Sequence, residues 1–256
     1  MVVRPAPENT GVVFRRVDLT GSPTVSAVLS NFDFRPRRTC LRVTGSEVEG
    51  AASVDTVEHF LACLFVLGID NLIVELNAEE LPCFDGSAVA FYRLLRDAGV
   101  SDQSAPGRHF AISGKIVASD GQGEIVALPD STGLWISYEL RYGEPVNLTQ
   151  NVEIQITEES FAREIASART FCTESEADSL IASGLGKGAT RENTIVLQSG
   201  GGFSTELRFP DECARHKILD LLGDLFFLGG ALTARLNCSR SGHSLNRTLV
   251  QKILNL

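Results

Sequence analysis

No stretch of this 256-residue chain stays apolar long enough to cross a bilayer. The longest near-continuous run, Phe60–Ile69, falls well short of the roughly 18 residues a spanning helix needs. The first residues, Met1-Val2-Val3-Arg4-Pro5-Ala6-Pro7-Glu8, hold two prolines and no apolar segment, so they do not read as a secretory signal. A soluble, cytoplasmic protein is expected. A basic excess is lacking too: 23 Lys and Arg against 32 Asp and Glu give a net charge of −9. A duplex-binding surface needs a basic stripe to displace counterions, and the one short cluster, Arg35-Pro36-Arg37-Arg38, reads as a solvated loop. Nucleic acid is therefore not an expected partner, whereas a few placed cations could still bind an anionic small molecule. None of the six cysteines (40, 63, 83, 172, 213 and 238) forms a C-x-x-C pair, and a chain of this size needs no disulfide staples. Reduced, buried thiols are expected. A P-loop, a dinucleotide glycine motif and a G-x-S-x-G elbow are also missing. Gly200-Gly201-Gly202 reads as a hairpin tip, since no helix follows it. What remains is a globular composition, 43% apolar and 21% charged with 9 prolines, which excludes disorder.

The fold class expected is α+β. Ser101-Asp102-Gln103-Ser104-Ala105-Pro106-Gly107-Arg108 is polar, carries Pro-Gly and follows a helix-like run, so it reads as a linker between residues 1–100 and 109–256. In the first part, strands are expected at Val12–Leu19, Val25–Phe32, Thr39–Val43 and Asn71–Leu76, with helices at Ser53–Leu67 and Ser87–Asp97. In the second, strands are expected at Phe110–Val117, Glu124–Leu128, Leu134–Leu140, Val152–Ile156, Asn193–Leu197 and Ala231–Leu236. Helices are expected at Glu174–Ala182, His216–Leu228 and Ser244–Leu254. Both parts end on the same order of helix, glycine, strand, loop, glycine and helix. His59 precedes Gly68 by nine residues, as Asp220 precedes Gly229. This predicts an internal duplication: two similar subdomains, each a small mixed sheet with helices, facing each other around one shared cleft.

The chemistry-bearing residues sit on those helices. His216 and Asp220 are i and i+4 on one face, and Asp224 continues it. The helix is apolar almost all round, so its carboxylates must be paired, protonated or bound to a cation. A shared metal ion and a buried His–Asp hydrogen bond both satisfy the pattern. His59 could add a third ligand, giving zinc a His, His, Asp set with one position open. Glu58 would then stand beside the metal-bound water as a proton acceptor. Alternatively, Asp55-Thr56-Val57-Glu58 is a capping-box-like helix start with Glu58 turned back to the cap. His243, at the start of the last helix, needs a carboxylate partner to hold a proton there. Asp224 is the candidate, and the pair suits an acid that protonates a leaving amine. His109 reads as a surface residue. Thr170 could donate to an oxyanion, and Lys217 could reach a phosphate or be a solvated helix residue.

Six segments, in order, resemble the UDP-3-O-acyl-N-acetylglucosamine deacetylases. They are Thr56-Val57-Glu58-His59, Gly68-Ile69-Asp70-Asn71, Asp85-Gly86-Ser87-Ala88 and Ala168-Arg169-Thr170-Phe171. His216-Lys217-Ile218-Leu219-Asp220 with Gly223-Asp224-Leu225 and Ser241-Gly242-His243-Ser244-Leu245-Asn246 complete the set. The resemblance runs from about Arg4 to the C-terminus. It implies a zinc amidase that takes acetate from UDP-3-O-(3-hydroxyacyl)-N-acetylglucosamine, the committed step of lipid A synthesis. It implies His59, His216 and Asp220 as zinc ligands, which would also tolerate iron(II). Glu58 is then the general base, His243 the general acid supported by Asp224, and Thr170 the oxyanion donor, with Lys217 and Phe171 on the substrate. An insert at about 174–207, with Leu180, Ile181, Ile195 and Val196, would shape the acyl passage. The partner implied is a UDP-linked acylated amino sugar, met by a monomer without a membrane span. The family usually carries an additional strand and a glycine-rich turn before the Pro-Ala-Pro segment, absent here, whose loss would leave a sheet edge unpaired. A deacetylase of another N-acyl sugar nucleotide and a relative that binds without turnover are the alternatives.

Overall fold

The computed structural model describes residues 1–35, 38–43, 52–182 and 188–256, and of Phe34, Leu180 and Ile181 only the backbone. The first strands are β1 (Val2–Pro5), β2 (Val12–Arg16) and β3 (Thr24–Ser26), then β4 (Phe32–Arg35), β5 (Arg38–Arg42) and β6 (Ser53–Asp55). Helix α1 (Glu58–Leu67) leads into β7 (Leu72–Leu76), and α2 (Val89–Ala98) follows. Alternation places Val12 and Phe14 of β2 in the core, as a strand with one covered face requires. β7 lies between an antiparallel β1 and a parallel β2, giving the order β1-β7-β2-β3. β4, β5 and β6 form a separate antiparallel sheet. Gly68 ends α1 in the left-handed region (φ 63°, ψ 34°), where a side chain would be strained.

The remaining residues supply β8 (His109–Ala111), β9 (Ile116–Ser119), β10 (Glu124–Leu128), β11 (Leu134–Tyr142) and β12 (Leu148–Ile156). A short α3 (Glu158–Ser160), capped by Thr157, runs into a π-helical turn at Phe161–Ile165. β13 (Phe171–Thr173), α4 (Glu174–Ala182) and β14 (Ile195–Leu197) come next, β13 and β14 pairing in parallel. Then follow α5 (Glu212–Leu225), a 3-10 turn at Phe226–Leu228, β15 (Ala231–Ser239) and α6 (His243–Leu254). The sheet order is β12-β11-β15-β10-β9, with β8 on β15. As β7 does in the first sheet, β15 lies between one antiparallel neighbour, β10, and one parallel neighbour, β11.

Helices fill the space between the two large sheets. Phe60 of α1 meets Phe14 of β2 edge-on at 6.3 Å and Phe91 of α2 at 5.4 Å. On the other side α1 packs along α5, which rests on β11 and β12, while α6 covers β9 and β10. The close crossing of α1 and α5 depends on Gly223, where a Cβ would stand 2.2 Å from the Glu58 carbonyl oxygen. Among the described residues no helix is long and apolar enough to cross a membrane.

The fold is α+β, and most elements fall where the pattern placed them, with instructive exceptions. Ser53–Asp55 is a strand rather than the first turn of a helix, because it pairs with β5 and Asp55 bridges Glu80. The Phe110–Val117 run divides, since β8 pairs with β15 while β9 pairs with β10. Segment 101–108 contains no helix or strand, and its Gln103 donates to the Ala6 carbonyl. Five of the cysteines are buried free thiols, and Cys83 is exposed. The glycine run does make a tight turn, with Gln198 N–H donating to the Gly202 carbonyl.

Candidate active site

The α1–α5 crossing puts the start of one helix against the middle of the other. His59, the second residue of α1, and His216 and Asp220 of α5 are all buried. Asp220 Oδ1 lies 3.4 Å from His216 Nε2 and 3.9 Å from His59 Nε2, and the two rings stand 89° apart. The three ligand atoms lie within 4.8 Å of one another, so the residues form a group that could hold a metal ion. Bonds of about 2.0–2.1 Å in a tetrahedron imply edges of about 3.3 Å, and the observed spacings are close to that. His216 Nδ1–H donates to the Ala168 carbonyl at 3.0 Å, which keeps the proton on Nδ1 and leaves Nε2 with a lone pair. Burial lowers both imidazoles, His59 to about 3, so both are neutral, the state a metal requires. Asp220 is depressed well below the carboxylate range. Burial opposes this, but the Lys217 ammonium, its Nζ 2.7 Å from Oδ2, and the charged His243 outweigh it.

Glu58 precedes His59 at the start of α1 and borders the same cavity. Its carboxylate does not turn back to cap α1, whose first turn has no side-chain cap; Oε2 instead accepts the Thr39 backbone N–H at 3.1 Å. Burial pushes Glu58 up to about 7 against the pull of a charged His243. His243 opens α6 with Nδ1 2.8 Å from Asp224 Oδ2. Burial alone would lower this imidazole, but the charge and hydrogen bond of Asp224 raise it to about 9. Asp224 is satisfied on both oxygens: Oδ2 also accepts from Asn246 Nδ2 at 2.8 Å, and Oδ1 from the Thr39 hydroxyl at 2.8 Å.

Glu58, His59, His216, Lys217, Asp220 and His243 border one cavity of about 1700 Å³, lined by both halves of the chain, while Asp224, Thr39 and Asn246 are buried away from its wall. The volume exceeds the few hundred to about 1,000 Å³ of a typical small-molecule site and suits an extended ligand. Thr170 and Phe171 also line it. Thr170 is held by its N–H on the Gly86 carbonyl and by the buried Arg169–Glu212 ion pair beside it, 2.9 Å long. Phe171 presents its ring edge-on to His216 at 6.1 Å. Lys217 borders the cavity while paired to Asp220, so it is not a solvated helix residue. Val196 lines the cavity, whereas Ile195 is buried in the core; the side chains of Leu180 and Ile181 lie outside the described set. Arg35 and Arg38 also border the cavity and hold Asp55 at 2.9 and 3.0 Å, so they are not a solvated loop, and Pro36 and Arg37 lie outside the described residues. His109 is exposed on Thr233.

The sequence comparisons cover nearly the whole chain. The profile of the family described as "LpxC: UDP-3-O-acyl N-acetylglycosamine deacetylase" matches residues 1–255. The chain belongs to this family. It is similar to the UDP-3-O-acyl-N-acetylglucosamine deacetylase of Phenylobacterium zucineum (strain HLK1), at 38% identity over 99% of this chain and 85% of that one. For the deacetylases of Pseudomonas entomophila (strain L48) and Anaeromyxobacter sp. (strain Fw109-5) the identities are 37% and 36%, over 99% of this chain and 82% and 81% of theirs. Family membership makes the chain a deacetylase by class. Two residues at the centre of the site escaped the sequence reading. Asn246 stands three residues beyond His243 on the same helix face, a spacing that could have found it. Thr39 carries no such signal, since its partners lie 19 and 185 residues away.

Proposed function

We propose that the protein is a zinc-dependent amidohydrolase that removes acetate from UDP-3-O-(3-hydroxyacyl)-N-acetylglucosamine in the cytoplasm, the committed step of lipid A biosynthesis. The observation that carries this reading is the placing of Glu58 and the Asp224–His243 pair around one His59–His216–Asp220 group, in a chain of the deacetylase family. What a bound zinc supplies is Lewis acidity: a polarised acetamide carbonyl and a water pKa lowered toward about 7. The chain's own residues do the rest. Glu58, held by the Thr39 N–H, takes a proton from the attacking water as its oxygen bonds to the acyl carbon. Thr170 donates to the oxygen that gains charge. His243 gives its proton to the nitrogen as the C–N bond breaks, and Asp224 balances the imidazolium until then. The products are acetate and a free amine. Phe171 forms a wall against the substrate, and Lys217 turns positive charge toward its phosphates. Residues 1–100 and 109–256, joined by 101–108, serve as the two units of the cleft, with the 174–207 insert on the acyl side; the repeated strand order supports this division.

The test is acetate release from that substrate by the metal-free chain and by the chain with one equivalent of zinc. Glu58→Ala should keep zinc and lose at least about two orders of magnitude in turnover. Near-normal turnover in that variant would remove Glu58 from the chemistry, and zinc-independent turnover would remove the metal.

A further inference from the structure

The two proton-transfer groups are built on opposite halves of the chain, yet one residue touches the supports of both. Thr39 of β5 is fully buried. Its backbone N–H donates to Glu58 Oε2 at 3.1 Å, and its hydroxyl donates to Asp224 Oδ1 at 2.8 Å. The hydroxyl oxygen also lies 3.1 Å from His243 Nδ1, and the Thr39 carbonyl accepts the Val57 N–H at 3.3 Å, one residue before Glu58. We infer that Thr39 is a positioning residue of the reaction, setting the orientation of the Asp224–His243 acid against the Glu58 base. The inference rests on the acid–base reading above.

The argument is geometric. A carboxylate held on one oxygen can rotate about its bond to Cβ; one held on both oxygens has its plane fixed. Asn246 and His243 hold Oδ2 of Asp224, and the Thr39 hydroxyl holds Oδ1. The Nδ1 proton of His243 therefore meets an acceptor whose direction Thr39 sets, and Nε2 is aimed accordingly. Because the same residue holds the Glu58 carboxylate through its backbone, base and acid share one rigid reference. A hydroxyl whose hydrogen is engaged at a buried site is costly to replace by a methyl, since the Asp224 oxygen it leaves has no other donor among the described residues.

The experiment compares Thr39→Val, which keeps size and backbone N–H but loses the hydroxyl, with Thr39→Ser, which keeps both. Steady-state kinetics, zinc content and circular dichroism are measured on the zinc-loaded full chain. Thr39→Val should bind zinc and substrate with KM within about twofold of wild type and lose about tenfold or more in kcat. Thr39→Ser should restore most of that loss. In an Asp224→Asn background, Thr39→Val should add less than about twofold, because the group it orients no longer carries the charge. If the valine variant fails to fold, Thr39→Ala provides the hydroxyl-free comparison. A kcat unchanged in the hydroxyl-free variant overturns the inference, as does a loss equal in Thr39→Ser or one fully additive with Asp224→Asn. Glu58→Ala and Asp224→Asn run alongside. If neither slows turnover, the acid–base reading itself has failed; if both do and Thr39→Val does not, only the role of Thr39 falls.

Discussion

The first and second parts of the chain share a frame and differ in what they hang on it. In each, a helix ends at a left-handed glycine, Gly68 (φ 63°, ψ 34°) or Gly229 (φ 67°, ψ 35°), and enters a strand between one antiparallel and one parallel neighbour. The second sheet is larger: β11, β12 and β15 have nine residues each, and β9 extends the order beyond β10. Among the described residues the first sheet has no strand in the place of β9, so β1 is its edge. The helices diverge in chemistry. Counting back nine residues from the glycine gives His59 in one and Asp220 in the other, and these equivalent positions face each other at 3.9 Å. One residue earlier the first helix has Glu58 and the second Leu219. The repeated frame thus brings His59 and Asp220 together in a group that could hold an ion, and at the neighbouring position it carries a carboxylate in one half and an apolar side chain in the other.

Breaking that equivalence at its centre should have the largest effect. His59→Ala and Asp220→Ala are each expected to weaken zinc binding by more than about a hundredfold, since even residues behind the ligands typically account for 10–100-fold. Competition with a chromogenic chelator measures it, and full occupancy in either variant rejects the shared site. Next comes the crossing itself. At Gly223 a Cβ would meet the Glu58 backbone rather than a flexible side chain. Gly223→Ala should therefore cost about 1–3 kcal/mol in urea unfolding and lower zinc affinity with it; a variant as stable as wild type would show that the helices can part.

The asymmetry of base and acid predicts a pH profile. Glu58 must be ionised and is raised to about 7, so kcat/KM should rise with pH through about 7 or, with a cation beside it, below that. His243 must hold its proton and is raised to about 9, so the rate should fall as pH passes about 9. In Asp224→Asn the chief source of that rise is gone and burial remains, so the falling limb should move down by more than a unit. A falling limb still near 9 would assign it to another group. The smallest effect tests the frame alone: Gly68→Ala and Gly229→Ala each introduce a side chain at positive φ with open space around it at Gly68 and only a guanidinium tip near it at Gly229. Both should lose about 1–2 kcal/mol, and a marked difference between them would mean that the two helix ends are not equivalent.

Legibility in the sequence followed the range of the interactions. The apolar helix around His216 and Asp220, the glycine stops and the nine-residue spacing are local patterns, and they located the residues of the His59–His216–Asp220 group and the Asp224–His243 pair. The role of Glu58 stayed undecided between cap and base because both follow from Asp55-Thr56-Val57-Glu58. The cap reading falls because β6 takes Asp55 into a sheet and Thr39 takes the carboxylate. Both are contacts with β5, and no spacing in the sequence encodes them. Ile195 illustrates the converse: an apolar residue in a loop-rich insert looks the same whether it faces a ligand or the core.

The residues of the group that could hold an ion divide one to two between α1 and α5, so a bound ion would be more than a participant in chemistry. An ion bound there is a tie between the two helices, and it has no counterpart in the unfolded chain. Each tenfold rise in free metal above its dissociation constant then adds about 1.4 kcal/mol to the folded state. The supply of metal in the surroundings becomes a variable of the folding equilibrium, and starvation for it should show first as faster hydrogen exchange along the α1–α5 seam.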